Sequence, residues 1–214
     1  MTIINIIDDL TLTIPNAPIG IMMSGGADSA ILLYFLLKHS KNKIHIFTLA
    51  NQQKRIITTH SSLNVVSKCA ELTDNYNFVH HITYEKEQNI NNLFTTPSQF
   101  LNDSIIDFLY TGITKDPPTQ VTDTFRVPPT QTVQRNPNVI RETLLNNNFF
   151  TPWTNIDKQY ICKIYNHYTL INNLYPLTRS CEWRIGLNNA EDPSNGHCGA
   201  CWWCEERKWG FNKL

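Results

Sequence analysis

Apolar and polar positions along the chain alternate between two periods, and the changes of period mark the elements. Leu10-Thr11-Leu12-Thr13-Ile14 alternates as a half-exposed strand does, and Pro15 and Pro18 end it. Ile19-Gly20-Ile21-Met22-Met23 is a short apolar run that predicts a buried parallel strand, stopping at Ser24-Gly25-Gly26. Asp28 or Ser29 then opens a helix whose stretch from Ala30 to Leu37 is apolar on every face, as in a helix sandwiched within a core. Ile44 to Leu49 predicts the next strand. Arg55 to Leu72 predicts a helix on the spacing of Ile56, Leu63, Val66 and Ala70, and Phe78 to Ile82 a third strand. Pro97 to Leu109 is expected to be helical, with Phe100, Ile105 and Phe108 as its apolar positions. Helical character returns at Val139 to Leu145 and from Asp157 to about Leu174.

Strands alternating with helices imply βαβ units: an α/β fold with a mostly parallel sheet and helices on both faces. Such a sheet takes its ligands at the carboxyl ends of its strands. After Gly112 the pattern lapses. Lys115 to Asn138 holds five of the eleven prolines and no periodicity, as a lid or binding loop would. From Cys181 onward the chain carries four of its six cysteines and four of its five tryptophans. The expected organisation is therefore an α/β domain over 1–180, with a proline-rich loop at about 115–138, and a small C-terminal four-cysteine metal module over 181–214.

Composition narrows the class. With 18 Lys+Arg against 18 Asp+Glu the formal charge is zero, which argues against a broad nucleic-acid surface. An apolar fraction of 41% with 17% charged residues excludes a disordered chain. The run from Ala30 to Leu37 is too short to cross a bilayer, so no membrane partner is expected. Met1 to Asp9 has no basic leader, and a cytoplasmic location is expected. The abundance of Asn with Ile, Lys, Phe and Tyr fits AT-rich coding, as in a small-genome host or a virus acting in the host cytoplasm.

Two motifs carry chemistry. Ser24-Gly25-Gly26-Ala27-Asp28-Ser29 lies between a buried strand and a helix start. Two glycines let the backbone approach an anion, the helix N-terminus adds partial positive charge, and Ser24 and Ser29 can donate to phosphate oxygens. Asp28 can cap the helix or help hold Mg²⁺. A serine-glycine turn with an aspartate cap is the plainer alternative; the complete six-residue pattern after the first parallel strand favours phosphate. The second motif is Cys181 followed by Cys198-x2-Cys201-x2-Cys204. Four thiolates can close a tetrahedral, structural Zn²⁺ site, with a 4Fe–4S cluster as the rival occupant. His197 is expected beside that site, and Cys69 and Cys162 read as ordinary buried residues.

The loop Ser-Gly-Gly-x-Asp-Ser resembles that of the PP-loop (N-type) ATP pyrophosphatases. It is not a Walker loop, because the Gly-Lys-Ser/Thr ending is absent. With His197-Cys198-Gly199-x-Cys201-x-x-Cys204-x-x-Arg207 and Phe211, the chain is similar to the 7-cyano-7-deazaguanine synthase family. Pro152 and Asp157-Lys158 agree with that family's stretch ahead of its zinc module. The resemblance implies a Rossmann-like fold of the adenine nucleotide alpha hydrolase type and cleavage of ATP between its α and β phosphates. A 7-carboxy-7-deazaguanine carboxylate would be adenylated, and ammonia would form the amide and then the nitrile, as in queuosine biosynthesis. Ser24, Gly25, Gly26, Ala27, Asp28 and Ser29 fall on the ATP loop, adenine on Thr48-Leu49-Ala50, and Cys181, Cys198, Cys201 and Cys204 on the zinc ligands. Family members often dimerise, and a neutral surface permits a homodimer.

Two family segments are rewritten. Ala50-Asn51-Gln52-Gln53-Lys54-Arg55 stands where the family has Asp-Tyr-Gly-Gln-Arg, and the Ser-Gly-Tyr-Pro-Asp substrate loop is replaced by Gly112 to Pro118. Lys115, Asp116 and Trp183 are candidates for the substrate pocket, and Asp28, Lys158 and Arg179 for catalysis. Arg126 and Arg135 read as solvated loop residues. His80 and His81, adjacent in a strand, face opposite ways and read as packed or surface histidines. Trp202, Trp203 and Trp209 are expected to pack the metal module. The other readings are an RNA-thiolating PP-loop enzyme with an iron–sulfur cluster, and a non-catalytic nucleotide-binding subunit.

Overall fold

A computed structural model describes residues 1–51, 56–85, 93–118, 121, 148–181, 197, 199 and 201–214. Its centre is a five-stranded, wholly parallel sheet. The strands are β3 (Ile19–Met22), β4 (Ile44–Asn51), β5 (Phe78–Glu85), β6 (Phe108–Tyr110) and β7 (Phe149–Phe150). They lie in the order β5-β4-β3-β6-β7. In register, Ile19 stands between Ile44 and Phe108, and Ile21 between Ile46 and Tyr110. Two strands, β1 (Thr2–Ile7) and β2 (Leu10–Ile14), form a separate antiparallel hairpin turned at Asp8, whose φ is +51°. The sequence pattern anticipated β2 but not its partner.

Strand alternation divides the core in two. Ile19, Ile21, Ile44, Ile46 and Tyr110 point to the face covered by α1 (Ala27–His39), α2 (Ile56–Thr73) and α4 (Lys158–His167). Met22, Phe47 and Leu109 point the other way, packing with Phe94 and Ile106 beneath α3 (Thr95–Asn102). Helix α1 is buried without a break from Ser29 to Leu37, as its all-round apolar sequence predicts. A final helix, α5 (Trp202–Phe211), packs on α4 and adds Phe211 to the larger core.

Four expectations are corrected. The helix expected over Pro97–Leu109 ends at Asn102. Ser104 takes a left-handed φ of +55°, its N–H and that of Ile105 return to Leu101 and Phe100, and Phe108–Tyr110 crosses into the sheet as β6. A three-residue apolar strand carries too little pattern to be told from a helical turn. The helix expected to reach Leu174 stops at His167, where Thr169 turns left-handed at +59° and Leu170 N–H closes on Tyr165. Helix α1 begins at Ala27, one position before Asp28. In α2 the buried face runs through Val65, Val66, Cys69 and Ala70, and Leu63 is exposed. Val139–Leu145 and most of the proline-rich loop lie outside the described residues.

Candidate active site and cysteine centre

Central strand β3 runs into the Ser24–Ser29 turn, the loop expected to hold phosphate. Gly25 has φ +79°, and a Cβ there would lie 2.9 Å from Ser62 N. Only glycine meets both conditions without strain. Gly26 is the N-cap of α1 and brings no side-chain cap, so the first-turn N–H groups are left for another acceptor. The two serines close over the turn. Ser24 Oγ accepts from Gly26 N–H at 3.2 Å and lies 3.1 Å from Ser29 Oγ, which donates to Gly26 O.

The loop is braced from residues distant in sequence. Arg179 N–H donates to Gly25 O at 2.8 Å. Trp153 Nε1 donates to Asp28 O and Tyr165 Oη to Ala27 O. Lys158, only 4% exposed, pairs its ammonium with Asp28 Oδ2, leaving Oδ1 buried without a hydrogen-bond partner among the described residues. A carboxylate oxygen so placed beside an uncapped helix start fits a cation held against phosphate. On the other side of Lys158, at 3.9 Å, stands the fully buried carboxylate of Glu206 from α5.

The remaining candidates are dispersed. Thr48 is buried, donates to Met23 O at 3.0 Å and accepts from His80 Nε2 at 2.8 Å. Its hydroxyl is thereby committed to tying the end of β3 to the interiors of β4 and β5, with Leu49 and Ala50 continuing β4. Burial holds His80 well below the usual imidazole range, at about 4, and the like charge of His81 adds to this. His81 faces the opposite side, stacked on His45 with ring nitrogens 3.0 Å apart. Lys115 is exposed, its backbone N–H donating to Ile156 O, and Asp116 is half-buried. Arg179 is buried with Nε turned to Cys181 O, so at the loop it acts through its backbone. Trp183, Arg126, Arg135, Gln53 and Arg55 lie outside the described residues.

Cys181, Cys201 and Cys204 are buried, with sulfurs within 4.8 Å of one another. The Cys201–Cys181 separation is 3.8 Å. Four thiolates at about 2.3 Å from one tetrahedral ion stand about 3.8 Å apart, so the donor set fits a single ion. Hydrogen bonding with Cys181, and then burial, push the Cys204 thiol up to about 12 and Cys201 higher still. Such thiols stay protonated unless a cation replaces the proton. Buried His197 has Nδ1 3.8 Å from Cys204 Sγ, and Cys198 lies outside the described residues. Trp202 and Trp203 stack edge-on at 4.6 Å, with Trp203 against the cysteines.

Trp153, Tyr165 and Glu206 were not singled out from sequence. An indole or phenol 125 or 138 positions from its acceptor carries no local signal. Glu206 carried one: an acidic residue between Cys204 and Arg207 on a helix anchored by cysteines.

Residues 13–106, under half of the chain, match the asparagine synthase family. That stretch contains β3, the phosphate loop, α1, β4, α2, β5 and α3. No curated protein matches the sequence. Among solved structures, the chain is similar to the U34-tRNA thiolase NcsA of Methanococcus maripaludis with its [4Fe-4S] cluster, at 12% identity, over 93% of this chain and 74% of that one, with a TM-score of 0.46. It is also similar to the NMN synthetase of Francisella tularensis, at 11% identity, over 92% and 77%, with a TM-score of 0.44. For the NH3-dependent NAD synthetase of Campylobacter jejuni the values are 12% identity, 74% and 66%, and a TM-score of 0.39.

Proposed function

We propose that the protein is an ATP-dependent ligase that cleaves ATP between its α and β phosphates and passes AMP to a carboxylate. The observation that carries this reading is the uncapped start of α1 behind a left-handed Gly25, in the part of the chain that matches the asparagine synthase family. An anion seated there meets first-turn N–H groups, two serine hydroxyls and the nearby Lys158 ammonium. Asp28 Oδ1 is the group that would hold Mg²⁺, which would neutralise polyphosphate charge when bound.

The chemistry then divides between positioning and charge. A substrate carboxylate oxygen attacks the α phosphorus, the bond to the β phosphate breaks, and pyrophosphate leaves into the loop. Ammonia adds to the acyl carbon and AMP departs, giving an amide. A second adenylation at the amide oxygen, followed by loss of AMP and two protons, gives a nitrile. Adenylation turns a poor leaving group into a good one, and the chain supplies orientation at the loop and at Lys158. The proposed substrate is a 7-carboxy-7-deazaguanine-type acid, as the resemblance in the cysteine segment implies, with Lys115, Asp116 and Trp183 as candidate contacts and Thr48–Ala50 as the adenine side. The proposed occupant of the cysteine site is a structural Zn²⁺. The 3.8 Å sulfur spacing supports one ion over a cubane cluster, whose thiolates sit on separate irons and stand farther apart.

The test is mass spectrometry of purified protein with ATP, Mg²⁺, ammonium and 7-carboxy-7-deazaguanine. AMP with the nitrile, or with the amide alone, supports the reading. Absence of AMP, or AMP with no modified acid, refutes the substrate. A brown, visibly absorbing protein after anaerobic purification would favour RNA thiolation with an iron–sulfur cluster instead.

A further inference from the structure

The cysteine site and the phosphate loop are joined by two short routes. Along the first, Cys181 continues backwards through Ser180 to Arg179, whose N–H donates to Gly25 O at 2.8 Å. The Gly26 backbone lies against the same strap: a Cβ there would be 3.7 Å from Arg179 O and 3.8 Å from Ser180 Oγ. Along the second, Cys201 caps α5 and Cys204 sits in its first turn. Glu206 then stands 3.9 Å from Lys158 Nζ, and Lys158 pairs with Asp28. The routes are cross-tied by Arg207, which is buried, lies 3.9 Å above the Tyr175 ring, and donates to Thr178 Oγ1 at 2.8 Å and to Tyr175 O at 3.2 Å.

We infer that metal occupancy of the cysteine site and nucleotide occupancy of the phosphate loop are thermodynamically linked, with Glu206 as the positioning residue of one route. The inference rests on the reading of the loop as a nucleotide site. The bistable element is the pair formed by the Thr178–Cys181 strap and the start of α5. A metal ion closes these two segments on each other. Without it, three buried thiols are drawn together with no charge to hold them, and the strap and helix are released. Release loosens Arg179 from Gly25 and withdraws the Glu206 carboxylate from Lys158. Lys158 is then fixed by Asp28 alone, the group that a nucleotide-bound cation would claim. Glu206 is fully buried beside the buried Lys158 ammonium, so its loss leaves that ammonium one carboxylate short. Linkage is reciprocal: whatever factor the metal adds to nucleotide affinity, the nucleotide adds to metal affinity.

The experiment is calorimetric titration of the full chain, zinc-loaded and zinc-stripped, with a non-hydrolysable α,β-methylene ATP analogue and Mg²⁺. Competition with a chromophoric chelator gives zinc affinity with and without the analogue. Stripping is expected to weaken analogue binding by about tenfold, within the usual 5–150-fold range of coupling, and the analogue to tighten zinc by the same factor. Glu206→Gln keeps every thiol and nearly the same shape. It is expected to bind zinc as wild type does when nucleotide is absent and to lose most of the coupling, whereas a merely structural role would lower zinc affinity or stability instead. Equal analogue affinity in loaded and stripped protein of unchanged circular dichroism overturns the linkage. Full coupling in Glu206→Gln overturns the role of Glu206, and this arm decides if the stripped chain unfolds. Failure of the nucleotide reading is distinct: the loaded wild type would not bind the analogue at all, or Gly26→Val would bind it equally well.

Discussion

Gly210 sits in the last turn of α5, where a helix interior would ordinarily favour alanine by about 1 kcal/mol. Its backbone conformation is helical, so positive φ is not the reason for it. The reason is approach: a Cβ at this position would collide with Lys158 Cβ and stand 3.0 Å from Lys158 C and 3.1 Å from its carbonyl oxygen. These are atoms of the first turn of α4, not the tip of a flexible side chain. Gly210→Ala must therefore push α5 away from α4. Overpacking of this kind costs about 1–3 kcal/mol, and the propensity gain of about 1 kcal/mol offsets part of it. The net expectation is a loss of about 1–2 kcal/mol, which in a domain of this size lowers Tm by about 3–6 °C. Urea denaturation monitored by tryptophan fluorescence measures it, with an unchanged m value certifying that the same surface unfolds. The same displacement moves the Lys158 ammonium relative to Asp28, so ATP-to-AMP turnover should fall by more than stability alone explains. A variant as stable as wild type, or more stable, would refute the close-packing explanation of this glycine.

Other substitutions probe the remaining elements. Asp28→Ala, and independently Gly26→Val, should abolish conversion of ATP to AMP while circular dichroism shows a folded chain; undiminished turnover would remove the loop assignment. In Cys201→Ser, metal content by atomic emission should fall from about one per chain to near zero and Tm should fall with it, because binding a structural ion contributes to folding. A metal-free variant that melts like wild type would disprove the structural role. His80, held at about 4 when folded against 6.5 as its ordinary value, contributes stability that is complete above pH 6.5 and is lost as pH falls toward 4. His80→Gln, whose amide can still donate to Thr48, should flatten the fall in stability over that window; an identical pH profile would show that another group carries it.

Much of this was legible in the sequence because it is local. The loop Ser24–Ser29, the buried run of β3 and the all-apolar α1 are contiguous signals, and periods of 2.0 and 3.6 residues identify β4, α2 and β5 directly. The thiols of Cys181, Cys201 and Cys204 converge as their spacing suggested. What escaped is non-local. The strand β1 has no alternation of its own and is ordered by its register with β2, Thr2 opposite Ile14. Strand β6 is three residues long and is defined by pairing with Ile19–Ile21. The apolar positions Leu63 and Ile105 are both 42% exposed, since helical spacing identifies a stripe but not which edge of it reaches the core. At the site, Lys158 stands out by the resemblance and Glu206 by its place between Cys204 and Arg207, but that the two meet follows only from α5 lying against α4.

The order in which the chain is synthesised gives the bracing of the phosphate loop a temporal meaning. Residues 24–29 are made before their braces: Lys158 lies 130 positions after the Asp28 that it holds, and Arg179 and Glu206 come later still. A nascent chain therefore displays the glycine turn on the ribosome long before any brace exists to fix it. Contacts between such distant partners form late, because the long loop between them must close first. A chain interrupted before Glu206 would carry the Ser24–Ser29 turn without the braces that hold it in the folded protein. The same layout ties the rigidity of the turn to the docking of α5 on α4.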